Sequence, residues 1–104
     1  MAKYRGQSPQ EVLDRLRRKA KFRILDVREP EEWLSGHIPG AIHIPMGQIT
    51  QRLEEIDPDE ELIVVCRSGN RSGMVCDYLS ERGYNVVNMS GGMMAWPGEV
   101  EFDD

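Results

Sequence analysis

A cysteine that ends an apolar strand and opens into a small, polar and basic loop is a pattern with chemical use. In this chain Leu62-Ile63-Val64-Val65 leads into Cys66, and the loop continues Arg67-Ser68-Gly69-Asn70-Arg71-Ser72. A free thiol has a pKa of roughly 8.5 and is mostly protonated at neutral pH, but helix-terminal amides and neighbouring cations lower that value by about one to several units. Arg67 and Arg71 supply cations, and Gly69 allows successive backbone N–H groups to turn inward as an anion-binding nest. Cys66 is therefore the candidate nucleophile, and Arg67, Ser68, Gly69, Asn70 and Arg71 form the candidate substrate-binding cradle. A strand end with a purely structural role has no use for this concentration of arginine, glycine, asparagine and serine.

The elements that must position this loop follow from periodicity and end signals. Ser8-Pro9-Gln10-Glu11 combines a capping serine, a proline at the first helical position and a glutamate three residues after the cap. With Val12, Leu13, Leu16 and Ala20 at helical spacing it predicts a helix from Pro9 to Ala20. Arg15, Arg17, Arg18 and Lys19 then fall on a solvated helix face. Phe22 to Val27, Ala41 to Ile44, Leu62 to Cys66 and Asn85 to Met89 are short apolar runs, several rich in β-branched residues, and read as strands. Pro30 to Ser35, Gly47 to Ile56 and Arg71 to Arg82 read as helices, the last ended by Gly83. Alternating strands and helices predict an α/β domain with a mainly parallel central sheet flanked by helices on both faces. In such sheets the ligand site lies beyond the carboxyl ends of the strands, where Cys66 falls.

With 104 residues, 39% of them hydrophobic, the chain suits one compact domain with its own core. That core is expected over about residues 7–97, with a frayed acidic tail over 98–104. Thirteen basic and eighteen acidic residues give a net charge of −5, which argues against a general affinity for nucleic acid or anionic membranes. Any anion site must be local. The first residues lack the charged-then-apolar signature of a signal sequence, and the longest apolar run, Leu62 to Cys66, is far too short to span a bilayer, so a soluble cytoplasmic protein is expected. Two cysteines without a framework spacing fit a reducing compartment. Cys66, Cys76, His37 and His43 do not fall at metal-binding spacings, and neither a metal nor another cofactor is expected. Nothing in the surface pattern calls for assembly, so a monomer is expected.

Four segments in order, Ile24-Leu25-Asp26-Val27-Arg28-Glu29-Pro30-Glu31-Glu32-Trp33, Gly36-His37-Ile38-Pro39-Gly40-Ala41, Cys66 to Ser72, and Gly91-Gly92 with Trp96, resemble the successive signatures of the rhodanese homology domain. The resemblance covers about residues 7–97 and implies the rhodanese-like three-layer fold. It implies a thiosulfate sulfurtransferase-type enzyme in which Cys66 takes a sulfane sulfur from thiosulfate or a persulfide and passes it to cyanide or a thiol. It also implies that the backbone from Arg67 to Arg71 cradles the sulfur, and that the partners are small sulfur compounds or a partner protein bearing a thiol or persulfide. Cysteine-dependent phosphatases, including those sharing this fold, resemble a pattern with five residues between Cys and Arg, a ring sized for a tetrahedral phosphate. Four residues separate Cys66 from Arg71, a tighter ring better matched to one sulfur. A phosphatase or arsenate-type oxyanion enzyme is the alternative reading. A non-catalytic binding module is a third, and the presence of Cys66 speaks against it.

Other reactive residue types have structural readings. Asp26 and Arg28, at a strand end, suit an ion pair that fixes the turn into the next helix. The resemblance suggests that His37 hydrogen-bonds backbone, and His43 is read alike, since persulfide transfer needs a thiolate and no histidine relay. Cys76 lies more than one turn inside a helix at about 1.5 Å rise per residue, leading away from the loop, so it packs rather than resolves a disulfide. Trp96, Met93 and Met94 read as core fillers.

Overall fold

The computed structural model describes residues 4–103. The chain starts with a short strand β1 (Arg5–Gln7) and helix α1 (Pro9–Arg17). The capping box forms as the sequence predicts: the Glu11 N–H donates to Ser8 Oγ at 3.1 Å, and the Ser8 N–H donates to the Glu11 carboxylate at 2.8 Å. Such a cap is worth about 1 kcal/mol. The helix stops three residues before Ala20, because Lys19 takes a left-handed conformation (φ 56°). The Ala20 and Lys19 N–H groups then close on the carbonyls of Arg15 and Leu16, both at 3.0 Å. This is the closing pattern that glycine usually supplies, here with lysine in its place.

Strands β2 (Arg23–Asp26), β3 (Ile42–His43), β4 (Leu62–Val65) and β5 (Val86–Met89) join β1 in one sheet of order β1-β5-β4-β2-β3, with every pair parallel. Helix α2 (Pro30–Leu34) follows β2, and α3 (Asn70–Glu81) connects β4 to β5. Side chains along β4 alternate between the faces. Leu62, Val64 and Cys66 pack with Val75, Cys76 and Leu79 of α3, whereas Ile63 and Val65 pack with Val12 of α1 and Met89. Both faces are therefore apolar, which explains the unbroken run Leu62–Cys66 and confirms the expected three-layer α/β architecture.

The edge strand β1 has no sequence signal, since Arg5-Gly6-Gln7 contains nothing apolar. Its pairing with Val87, Asn88 and Met89 holds it. The helix expected over Gly47–Ile56 is instead two 3₁₀ segments, Met46–Gln51 and Leu53–Glu55. Gly47, Ile49 and Thr50 are weak α-helix formers. Buried Ile49 and Ile56 anchor tighter turns, closed by Arg52 N–H to Ile49 O at 3.1 Å and Ile56 N–H to Leu53 O at 3.0 Å. Arg15 also departs from the expected solvated face. Its guanidinium pairs with Glu61 and lies 4.7 Å from the centre of the Phe22 ring.

The acidic tail is not frayed over its described part. His37 and Glu101 exchange backbone hydrogen bonds at 3.0 and 2.8 Å, and Trp33 Nε1 donates to Asp103 at 2.6 Å. Composition alone suggested fraying because it did not show that Gly36 leaves a surface against which Val100 and Phe102 lie. No helix among the described residues is long and apolar enough to cross a membrane.

Candidate functional site

Because all strands run parallel, their carboxyl ends open on one side, and Cys66 is the first residue beyond β4. The loop after it turns directly into α3. Gly69 makes the turn at φ 101°, and a β-carbon there would be strained and only 3.2 Å from the Gly91 amide nitrogen. The start of the loop is braced from the other side: the Met93 N–H donates to Cys66 O at 2.8 Å and the Met94 N–H to Arg67 O at 3.0 Å. With these carbonyls held outward, the loop amides are free to face the sulfur.

Cys66 is 1% exposed. Its Sγ accepts the Gly69 N–H at 3.0 Å and lies 3.3 Å from Ser72 Oγ. Burial pushes the thiol pKa up, but the Ser72 hydroxyl and the backbone N–H groups of Ser72, Gly69 and Ser68 outweigh it, so the pKa lies below the ordinary thiol value. The thiolate is thus stabilised chiefly by loop hydrogen bonds, not by the arginine charges that the sequence pattern emphasised. The reason is geometric. Both terminal nitrogens of Arg71 are held by Glu32, at 2.7 and 2.8 Å, while Arg67 is exposed. The Arg71 guanidinium holds the Glu32 carboxyl down to about 2, outweighing its partial burial.

Ser68 and Asn70 are exposed on the loop, and Asn70 begins α3. Of the cradle candidates, then, Gly69 contacts the sulfur directly, the Ser68 backbone N–H also favours its thiolate, the Arg67 side chain is exposed, and Arg71 is committed to Glu32. Two further residues belong to the sulfur environment. Ser72 Oγ lies 2.5 Å from Asn88 Oδ1 and 3.3 Å from the sulfur, so its single proton serves either Asn88 or the Cys66 thiolate, and Asn88 Nδ2 donates to Gly69 O at 3.2 Å, tying β5 to both sulfur contacts. Asn88 had a readable signal: it is the polar residue in the apolar run Val86-Val87-Asn88-Met89, and it pairs in register with Val64, two residues before Cys66.

An open cleft of about 330 Å³ adjoins the loop, lined by Arg28, Glu32, Ser35, Arg67, Met93 and Met94. Met94 is 69% exposed and belongs to this rim, not to the core as its type suggested, because the turn after Gly92 points it outward. Met93 and Trp96 do pack against the core. Asp26 and Arg28 form the expected ion pair, with Nη2 to Oδ2 at 2.8 Å, and Arg28 also donates to Gly36 O at 2.8 Å. His37 Nδ1 lies 3.0 Å from Trp33 O and His43 Nε2 lies 2.8 Å from Arg28 O, so both rings are tied to backbone. Trp33 stacks on both. Cys76 is fully buried on α3, and burial pushes its thiol up to about 12.

The chain belongs to the rhodanese-like domain family, whose model matches residues 8–99. It is 53% identical over 78 residues to the provisionally named sulfurtransferase YtwF of Bacillus subtilis, covering 75% of this chain and 76% of that protein. It is 43% identical over 74 residues to a sulfurtransferase of Allochromatium vinosum, covering 70% and 69%. Among solved structures, a rhodanese-like domain protein from Staphylococcus aureus superposes with a TM-score of 0.90 at 35% identity, covering 96% of this chain and 99% of that one.

Proposed function

We propose that the chain is a sulfurtransferase in which Cys66 carries a sulfane sulfur as a persulfide. The observation that carries this reading is the Gly69 N–H at 3.0 Å from Cys66 Sγ, inside a loop with four residues between Cys66 and Arg71. A ring of this size suits one sulfur better than a tetrahedral phosphate, and the names of the two curated relatives agree with sulfur transfer. In the first half-reaction the Cys66 thiolate attacks the outer sulfur of a donor R–S, forming the new S–S bond as the donor's own bond to that sulfur breaks. The electron pair leaves with sulfite when the donor is thiosulfate, or with a thiolate when it is a persulfide. In the second, cyanide or a thiolate attacks the outer sulfur and returns Cys66 to its thiolate. Backbone N–H groups between Arg67 and Arg71 hold the negative outer sulfur through the cycle.

Intact-mass analysis tests this. Incubation with thiosulfate or an alkyl persulfide should add about 32 Da at Cys66, removable by cyanide as thiocyanate, because the persulfide forms only on a thiolate. Cys66→Ser should gain nothing. A gain of about 80 Da from an aryl phosphate, with no sulfur uptake, would instead establish the phosphatase reading.

A further inference from the structure

The three arginines around the cleft differ in what they have left to offer. Arg28, with its side chain 6% exposed, is held by Asp26 and by Gly36 O. Arg71 gives both terminal nitrogens to Glu32, in a pair whose side chains are 28% and 26% exposed. Arg67 alone of the three has no side-chain partner among the described residues. Glu32 meanwhile lines the cleft itself, together with Arg67, Met93 and Met94. The cleft beside the Cys66 loop therefore presents one uncommitted cation, one carboxylate and two thioethers to a donor that docks there.

That surface suits some sulfur donors poorly. Thiosulfate is a compact dianion with no apolar part: it finds a single free guanidinium, faces the Glu32 carboxylate and gains nothing from the methionines. Capturing it with a second cation would require pulling Arg71 out of a bidentate pair, stranding the carboxylate in a half-buried setting. An organic persulfide carries at most one charge on its sulfurs, and its carbon chain can cover Met93 and Met94. We infer that the cleft selects organic persulfides over thiosulfate as sulfur donors, and that Glu32 is the specificity-determining residue because it neutralises Arg71. The step balances as Cys66–S⁻ + R–S–SH → Cys66–S–SH + R–S⁻. The proton first stays on the transferred sulfur and is then lost to solvent, leaving the negative outer sulfur that the loop amides hold, while the electron pair of the broken S–S bond leaves on the thiolate, whose charge develops beside Arg67.

This inference rests on Cys66 accepting sulfur, and the test keeps the two separable. Second-order rate constants for sulfur loading of Cys66 are measured by intact mass with thiosulfate and with a small alkyl persulfide, for the parent, Glu32→Gln and Arg71→Gln. In the parent the persulfide should load at least tenfold faster. Glu32→Gln removes the carboxylate and frees Arg71, so the thiosulfate-to-persulfide ratio should rise at least fivefold. Arg71→Gln leaves Glu32 unneutralised, so the same ratio should fall. A pair that only supports the fold would move the ratio in neither variant, or in the same direction in both. Either of those results, or equal loading of the parent by both donors, overturns the inference while leaving sulfur transfer intact. If one variant does not fold, the parent ratio and the other variant still decide it. No loading of the parent by either donor would instead overturn the sulfurtransferase reading.

Discussion

Gly92 sits so close to the Cys66 loop that a β-carbon there would overlap the Arg67 carbonyl group and lie 2.6 Å from the Cys66 carbonyl oxygen. This close approach lets the next two amides, those of Met93 and Met94, reach the same two carbonyls. The Gly91-Gly92 segment is thus part of how the sulfur loop keeps its shape, although it touches no sulfur.

Gly92→Ala should therefore cost about 2 to 3 kcal/mol, since backbone on both sides must give way and the residue keeps a strained positive φ. Its sulfur loading should fall with it, because the amides facing Cys66 lose their brace. Urea denaturation and intact-mass loading check both. A variant as stable and as readily loaded as the parent would show that the close approach does not set the loop geometry.

The pKa of Cys66 lies below the ordinary thiol value, so its reactive thiolate persists to lower pH than that of a free cysteine. Ser72→Ala removes a hydrogen bond to the charged form, so the thiolate should appear only at higher pH and alkylation at neutral pH should slow severalfold. Arg67→Ala should move the pH profile less, because Arg67 is exposed and its guanidinium makes no contact with the sulfur. The profile reports Cys66 alone in this range, since burial pushes the Cys76 thiol up to about 12. Cys76→Ser should leave it in place. A larger shift in Arg67→Ala than in Ser72→Ala would return the main role to arginine charge.

How much of this was readable from the chain depends on where each interaction lies in sequence. Cys66, Gly69 and the start of α3 lie within a few residues, so strand end, loop and helix announce one another. The expected strands fall where apolar residues face both layers, as Leu62 to Val65 do. Contacts between distant segments left no local trace. Glu32 meets Arg71 across 39 residues, and it is one of three acids in Glu29-Pro30-Glu31-Glu32, so nothing marked it as Arg71's partner. Ser72 closes the loop signature Cys66 to Ser72, but its place beside the sulfur depends on Asn88, 16 residues away. The tail looked unstructured because its partners, Trp33 and His37, lie some seventy and sixty-four residues earlier.

Those tail contacts make a separate prediction. Ending the chain after Glu99 removes the Asp103 acceptor of Trp33 and the two backbone hydrogen bonds between His37 and Glu101. Stability should drop by about 2 to 3 kcal/mol, the net worth of three such bonds at about 1 kcal/mol each. In a Trp96→Phe background the emission of Trp33 should shift to longer wavelength as its indole N–H turns to water. Sulfur loading should stay within about twofold, because no tail residue lines the cleft beside Arg67. Unchanged stability and emission would mean that the tail is not docked in solution.

The last prediction concerns the size of the loop. Its start is fixed by Met93 and Met94 and its end by α3, so one residue inserted after Asn70 must be absorbed between Gly69 and Arg71. The insertion gives five residues between Cys66 and Arg71, the spacing that phosphatases of this type resemble. Amides stabilise an anion strongly only within roughly 2.7 to 3.1 Å of it, and the Gly69 N–H now sits at 3.0 Å from the sulfur. A wider ring should draw that donor away, and the loss of one such donor should lower sulfur loading roughly 10- to 1,000-fold. Aryl-phosphatase activity need not appear, since ester cleavage also requires a proton donor at the leaving oxygen. The lengthened variant would be compared with the parent by circular dichroism, intact-mass loading and aryl phosphate hydrolysis. If it folds and loads sulfur at the parent rate, ring size does not govern the chemistry, and the geometric argument for sulfur over phosphate is lost.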